Sequence, residues 1–172
     1  MAVAETLVAY RGYDENGELA GIADVELPEL NYITRELKGA GIAGVIDLPI
    51  FGHFESLTAV INWRTMIHDS IKLMRPGRRM LEFRSASQIQ DAGTGEYVVS
   101  AEKVTLGVLV KKGTMGKREV GEGSESNNEF EVTYIKIVQD NETILEIDKL
   151  NYICTIDGLD YMQEVRQALG LE

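Results

Sequence analysis

The clearest period in the chain lies at residues 57–63, where Leu57, Ala59, Ile61 and Trp63 alternate with Thr58, Val60 and Asn62. An apolar residue at every second position puts all four on one face of a pleated strand and predicts a half-buried strand. The next segment changes period. Ile67, Ile71 and Met74 recur at helical spacing, and Arg75, Pro76 and Gly77 supply a stop, which predicts a helix of about ten residues. Arg79, Leu81 and Phe83 return to alternation, and residues 91–95 read as a turn. Residues 97–110 form a β-rich run carrying Val98, Val99, Val104, Val108 and Val110, in which Gly107 predicts a bulge or bend. Phe130, Val132 and Tyr134 alternate with Glu131 and Thr133 and continue through Ile135, Ile137 and Val138. Asp140 and Asn141 then turn the chain into Ile144, Leu145 and Ile147, a hairpin of high β propensity.

The flanks are less regular. Residues 18–36 look extended but interrupted at Pro28, which has no amide hydrogen to give a ladder. A glycine-rich loop at residues 39–44 leads into a short run, Val45 to Leu48, that Pro49 stops. Residues 153–156 are extended and Asp157 and Gly158 turn. Beyond them Leu159, Met162, Val165 and Leu169 space out a terminal helix with Gly170 at its C-cap. The polar stretch 113–128 is long for a loop in a compact domain, and such loops are functional or disordered. Ordering against a partner and simple mobility both fit it. No internal repeat or boundary divides the chain. The expectation is one domain over residues 1–172, mainly β (α+β), with a short mid-chain helix and a C-terminal helix.

Charge narrows the function classes. The 172 residues carry 28 acids and 17 bases, a net charge of -11, which argues against gripping nucleic acid through its phosphates or docking on anionic lipid. No apolar run reaches the roughly 18 residues of a membrane span, so no membrane anchor is expected. The start of the chain has no basic, apolar signal pattern. The single Cys154 allows no internal disulfide. The imbalance is uneven: residues 1–30 hold seven acids and one base, residues 139–172 eight acids and two bases, and residues 31–112 eleven bases and eight acids. Such clustering fits either solvated faces or a subunit whose acidic and basic surfaces meet on neighbouring copies, since complementary patches set register and on-rate.

Candidate chemistry is sparse. Gly39, Gly41 and Gly44 spell G-x-G-x-x-G, but a dinucleotide site needs that motif to open a helix so that the pyrophosphate sits on the helix N-terminus. The sequel here, through Ile46 and Asp47 to Pro49, is too short and too β-branched for that helix. A flexible or tightly turning loop is the favoured alternative. His53 and His68 are the only histidines and show no ligand spacing, so no metal or other cofactor is implied. His53 beside Glu55 suggests a polar contact in a loop. No nucleophile elbow surrounds any serine, and no enzyme is expected.

The order of segments is more informative than any single one. An early strand broken by Leu27 and Pro28 comes first, then the Lys38 to Gly44 glycine segment followed by Ile46 and Asp47. The late hairpin follows, Glu131 to Lys136 turned into Glu142 to Asp148. The chain closes with Asp157, Gly158, Leu159 and Asp160 and then Arg166 to Leu171. In this order, spanning positions 18–171, the chain resembles the major tail tube proteins of contractile-tailed bacteriophages and of phage-tail-like bacteriocins. Residues 51–80 carry the likeness least.

The resemblance implies a β-sandwich or barrel-like subunit with a flanking helix. Six copies would form a ring, and stacked rings a hollow tube within a contractile sheath. Inner sheets of neighbours would join into one lumen wall. It implies partners: the chain itself, the tail sheath protein, the tape-measure protein, and baseplate and tail terminator proteins. DNA would pass through without specific binding, or, in a bacteriocin, the tube would puncture. The place of action would be the virion tail, assembled in the bacterial host cytoplasm. Gly39, Gly41, Gly44, Asp47, His53 and Glu55 become candidates for the contact between subunits or rings. Glu131, Glu142, Glu146 and Asp148 become candidates for lumen-facing carboxylates that repel phosphate. The competing expectation is a monomeric soluble β-barrel that binds a ligand or partner.

Overall fold

A computed structural model describes residues 2–171. The chain opens with a long strand β1 (Ala2–Asp14), then β2 (Gly17–Leu19) and β3 (Ile22–Glu26). A separate ribbon follows, β4 (Tyr32–Leu37) with β5 (Ile46–Phe54). Strand β6 (Thr58–Trp63) leads through helix α1 (His68–Lys72) into three long strands, β7 (Arg78–Asp91), β8 (Tyr97–Thr114) and β9 (Asn127–Gln139). Strands β10 (Glu142–Asp148), β11 (Ile153–Ile156) and β12 (Leu159–Asp160) and helix α2 (Gln163–Ala168) complete it.

All strands but β4 and β5 belong to one antiparallel sheet in the order β12-β11-β10-β9-β8-β7-β1-β2. It forks at β9. The first half of β9 pairs with β6, Thr58 opposite Glu131 and Asn62 opposite Asn127, and β6 pairs with β3. The second half pairs with β10, Tyr134 opposite Asp148 and Gln139 opposite Glu142. A bulge makes the fork possible. Gly107 of β8 faces Tyr134 while the adjacent Val108 faces Val132, so one extra residue in β9 shifts its inward set from Phe130 and Val132 to Ile135. Bulges bend a strand and raise its twist. Gly107 itself lies under its neighbours: an added Cβ would stand 3.0 Å from Tyr134 Cβ.

The predicted alternation of β6 holds. Leu57, Ala59, Ile61 and Trp63 are buried with Leu81 and Phe83 of β7, Val104, Leu106 and Val108 of β8, and Phe130 and Val132 of β9. Trp63 resolves its polar atom inside this core: Nε1 donates to Asn128 Oδ1 (2.6 Å), and Asn128 Nδ2 donates to the Ser70 carbonyl (3.2 Å). Buried polar groups persist when partnered in this way.

Several expectations need correction. The mid-chain helix is five residues long rather than about ten. Its Ser70 and the C-cap Leu73 are buried, while Ile71 is 40% exposed, so burial follows the corner after Ile71 rather than the stripe through it. The tail helix spans only Gln163–Ala168. Leu159 belongs to β12, Met162 alone of the expected stripe is buried, and Val165 and Leu169 face out. Gly170 does follow the helix with φ 69°, the left-handed stop glycine permits. Pro49 does not end its strand: β5 continues to Phe54, since in a two-stranded ribbon a proline can turn its missing donor away from the partner.

The stretch 113–128 is shorter as a loop than expected, with β8 reaching Thr114 and β9 starting at Asn127. Its remainder is tied down within the chain. The amide of Lys117 donates to the Ser124 carbonyl (2.7 Å), that of Trp63 to the Ser126 carbonyl (2.9 Å), and Ser124 Oγ accepts from the Met66 amide (2.5 Å). Val120 stands fully exposed at the tip.

Candidate functional site

Two features of the sheet are left incomplete by the chain itself: an arm, and several bare strand edges. The arm is the β4–β5 ribbon. Among the described residues it pairs with no strand of the main sheet, and it is fastened at its foot. There the Glu55 amide donates to the Asn31 carbonyl (2.8 Å), Lys149 Nζ donates to the Glu55 carbonyl (2.7 Å), and the Tyr32 and Phe54 rings lie 4.7 Å apart. Gly52 permits the closest contact. Its φ is 65°, and a Cβ there would stand 2.2 Å from Met162 Sδ. A residue with a side chain could adopt neither that backbone nor that proximity without strain.

Register gives the arm two unlike faces. Tyr32 pairs with Phe54, but Thr34 already pairs with Pro49, so four residues of β5 bulge opposite Ile33 and Phe51 is thrown outward, 75% exposed. Beyond the bulge Arg35 faces Leu48 and Leu37 faces Ile46 on one side. On the other side Thr34 faces Pro49 and Glu36 faces Asp47. Directly opposed residues share a face, so one side is apolar around Arg35 and the other is acidic. Every residue of β4 is exposed. Like charges opposed across a ladder are destabilising, and the exposed Lys38 beside Glu36 (3.2 Å) offsets this only slightly.

The glycine motif sits at the arm's tip. Gly39, Gly41 and Gly44 all have positive φ, the Ile42 amide closes a turn on the Gly39 carbonyl (3.2 Å), and the loop runs into strand β5. No helix follows, so the dinucleotide arrangement is not formed. The structure therefore gathers Gly39, Gly41, Gly44 and Asp47 on the outer arm. His53 lies in the bulge and Glu55 at the foot, and no hydrogen bond or ion pair joins these two among the described residues.

The four expected carboxylates do not form one row. Glu131 stands at the arm's foot, accepting from Ser56 Oγ (2.5 Å) between Lys111 (3.7 Å) and Lys149 (3.7 Å). Glu146 pairs with Lys136 (3.8 Å) and accepts from the Tyr134 hydroxyl (3.0 Å). Burial, reinforced by that bond and the negative charge of Glu146, pushes the Tyr134 hydroxyl up to about 12. Asp148 is buried and holds its own turn, accepting from the amides of Leu150 (2.9 Å) and Asn151 (3.2 Å). Glu142 is exposed beside the β9–β10 turn.

Sequence reasoning missed the cations around them. On the face turned away from the core, Tyr13, Glu82, Thr105, Lys136 and Glu146 lie in register across five strands. The next row is Arg11, Arg84 and Lys103. Arg84 is neutralised by Glu82 (2.6 Å) and caps the Tyr13 ring at 5.1 Å. Only the strand register, which no linear pattern displays, puts these charges side by side.

The bare edges complete the picture. Strand β1 is paired with β7 along most of its length, but β2 covers only Gly12–Asp14 on its other side. The start of β8 extends past the last β9 partner, Gln139 opposite Glu102. Asp140 closes that corner, its carboxylate accepting from Ser100 Oγ (2.9 Å) and the Ala101 amide (2.9 Å). Leu7, Val8, Tyr97, Val98 and Val99 are exposed on this projecting part of the sheet. Apolar unpaired edges are templates for another chain. Among the described residues no helix is long and apolar enough to cross a membrane.

The chain is similar in sequence to known proteins. The chain is 28% identical over 156 residues to the tail tube protein of Escherichia phage P2, covering 88% of each chain. It is 25% identical over 175 residues to the major tail tube protein of Serratia phage KSP20, covering 99% of each. A structural likeness, with TM-score 0.45 and 10% identity, covers 76% of this chain and 87% of a chain in the extended-state sheath–tube complex of an extracellular contractile injection system. The profile of the phage tail tube protein FII family matches residues 4–170. A mainly β subunit with unsatisfied margins, matched along nearly its whole length, belongs to the phage tail tube protein FII family.

Proposed function

We propose that copies of this chain close into six-membered rings that stack as the inner tube of a contractile tail, a conduit for DNA or, in a bacteriocin, a puncturing tube. The observation that carries it is the unpaired apolar margin of the sheet together with the arm, on a chain of a tail tube family. A monomeric binding module would leave both in water. Head-to-tail contacts that close by rotation make rings, and repetition along the axis makes filaments.

In this arrangement the projecting parts of β1, β7 and β8 join those of neighbours into a continuous lumen wall. The outer arm, with Gly39, Gly41, Gly44 and Asp47, bridges to an adjoining copy, and His53 and Glu55 lie where it leaves the body. Glu142 and Glu146 are the carboxylates assigned to the lumen. Glu131 belongs to the foot of the arm and Asp148 to its turn. The sheath encloses the tube in the virion tail, and the tape-measure, baseplate and terminator proteins meet its bore and ends. Assembly takes place in the host cytoplasm.

The arm provides the test. Replacing residues 37–46 with an Asn-Gly turn should leave the monomer folded, with an unchanged β-type circular dichroism spectrum. No tubes should then appear by negative-stain microscopy at concentrations, or with baseplate seeds, at which the intact chain forms them. Normal tube yield from the armless chain would remove the arm from the interface.

A further inference from the structure

We propose that the groove between β1 and β3 receives the arm of another copy, with Arg35 set between Asp24 and Glu102 and Leu48 on the groove floor. This deepens, and rests on, the assignment of the arm to the interface.

The sheet does not close between these strands. Among the described residues β3 is paired only with β6, and β1 before Gly12 only with β7. They approach closely enough for the Tyr10 hydroxyl to donate to the Ala23 carbonyl (3.0 Å), yet no ladder joins them. Beside that bridge lies a cavity of about 220 Å³ lined by Leu7, Tyr10, Val25, Leu27, Phe83 and Val104. Leu7 is 55% and Leu27 42% exposed, so the chain does not fill the groove itself. Asp24 and Glu102 also line it. Asp24 accepts from Asn62 Nδ2 (2.6 Å) and Glu102 from Ser85 Oγ (3.3 Å), and neither meets a cation among the described residues. Carboxylates on an apolar floor are costly to cover unless a cation comes with the cover.

The arm supplies that combination. Its apolar face carries Leu37, Ile46 and Leu48 and a single charge, Arg35, which is opposite Leu48 in the register and makes no ion pair among the described residues. Groove and ribbon thus match in both respects, apolar against apolar and one guanidinium against two carboxylates, a geometry that arginine's fork suits. The contact is also unlike-to-unlike. Each copy that inserts an arm still offers an empty groove, which lets the association propagate.

The test is a charge exchange in the purified full-length chain, read as the pelletable tube fraction with thermal melting as the folding control. R35E and the pair D24K/E102K should each lower tube yield at least about tenfold, since like charges then face one another across the contact. Combining all three should restore yield to within a few-fold of the natural chain. A second readout does not depend on those charges. L27C with L48C should give a ladder of disulfide-linked multimers on a non-reducing gel of assembled tubes. Defective single exchanges without recovery in the combination, or tubes without a ladder, would overturn the groove as the receptor. R35E tubes at normal yield would do the same. If, in that case, the armless chain makes no tubes, the arm remains an interface and only its seat is wrong; tubes from the armless chain would remove both.

Discussion

Strands β4 and β6 are each six residues long and flank β5 in the sequence, yet they follow opposite rules. Every second residue of β6 is buried, and the alternates Thr58, Val60 and Asn62 on its other face are half-buried. In β4 all six residues are exposed, although Tyr, Ile, Thr and Leu give it ample β propensity. Propensity therefore does not separate the two. What separates them is the covering surface: the same chain supplies it for β6 and leaves β4 bare, and on the function proposed above another copy covers β4. Substitutions in the body should thus be felt by the monomer, whereas substitutions in the arm should be felt only by the assembly.

The largest expected effect is at the centre of the body. Phe130 is fully buried between β6 and β8, and Phe130→Ala should destabilise the monomer by about 3–5 kcal/mol in urea unfolding. A loss below about 1 kcal/mol would mean that β9 is not the keel of the sheet.

A nearly buried ion pair comes next. Lys72 Nζ lies 2.7 Å from Asp14 Oδ2 and ties α1 to the β1–β2 turn. Burial works against the charge of Asp14, but the hydrogen bonds from Lys72 and from the Asn16 amide outweigh it and hold the carboxyl below its ordinary range. Lys72→Ala should cost about 3 kcal/mol by leaving that carboxylate unpaired. The sign of the pH dependence follows from the depressed value. The stabilisation is complete above the ordinary carboxylate range and fades as pH falls through the lowered pKa. Acid unfolding of the natural chain should accordingly be steeper below about pH 4 than that of Asp14→Asn.

Gly52 lies on the border between the two regions. Gly52→Ala introduces a Cβ against Met162 and an unfavourable φ, and should cost about 1–3 kcal/mol. Pairing it with Met162→Ala should remove the steric part but not the conformational part. Full additivity of the two losses would show that they do not touch in solution.

The smallest effect on the monomer should be the sharpest test of the comparison. Leu48→Ser on the exposed ribbon should change unfolding free energy by less than about 0.5 kcal/mol while lowering tube yield severely. A destabilised monomer with normal tubes would reverse the distinction drawn between body and arm.

The sequence disclosed the body better than the arm for the same reason. Residues 57–63 advertise their burial because strand period and core coincide in one segment. The late hairpin is equally plain, from Phe130 through the Asp140–Asn141 turn to Ile147. Strand β1 has no counterpart in the sequence reading: register shifts between Ala2 and Ala4 and between Leu7 and Ala9 break its alternation. The helix α1 was legible but its length and buried side were not, because Ile71 has the spacing of a core residue but Leu73 has the position of one. In the arm, the glycine cluster of residues 39–44 marked an unusual loop. That Leu37, Ile46 and Leu48 would be left in water could not be read, since an apolar residue looks the same whether its cover is internal or external. The lysine partners of Glu131 and Glu146 depend on cross-strand register and on loops far apart in sequence.

Glu36 and Asp47, facing each other on the ribbon, have one more effect. Two arms that collided acid side to acid side would bring four carboxylates together, which the Lys38 of each arm offsets only in part, so the encounter is unfavourable. On the function proposed above, this disfavours contacts between the acidic sides of two arms. Because such repulsion reaches only about 10 Å at moderate salt, it polices mistaken partners at contact without slowing the approach of the right one.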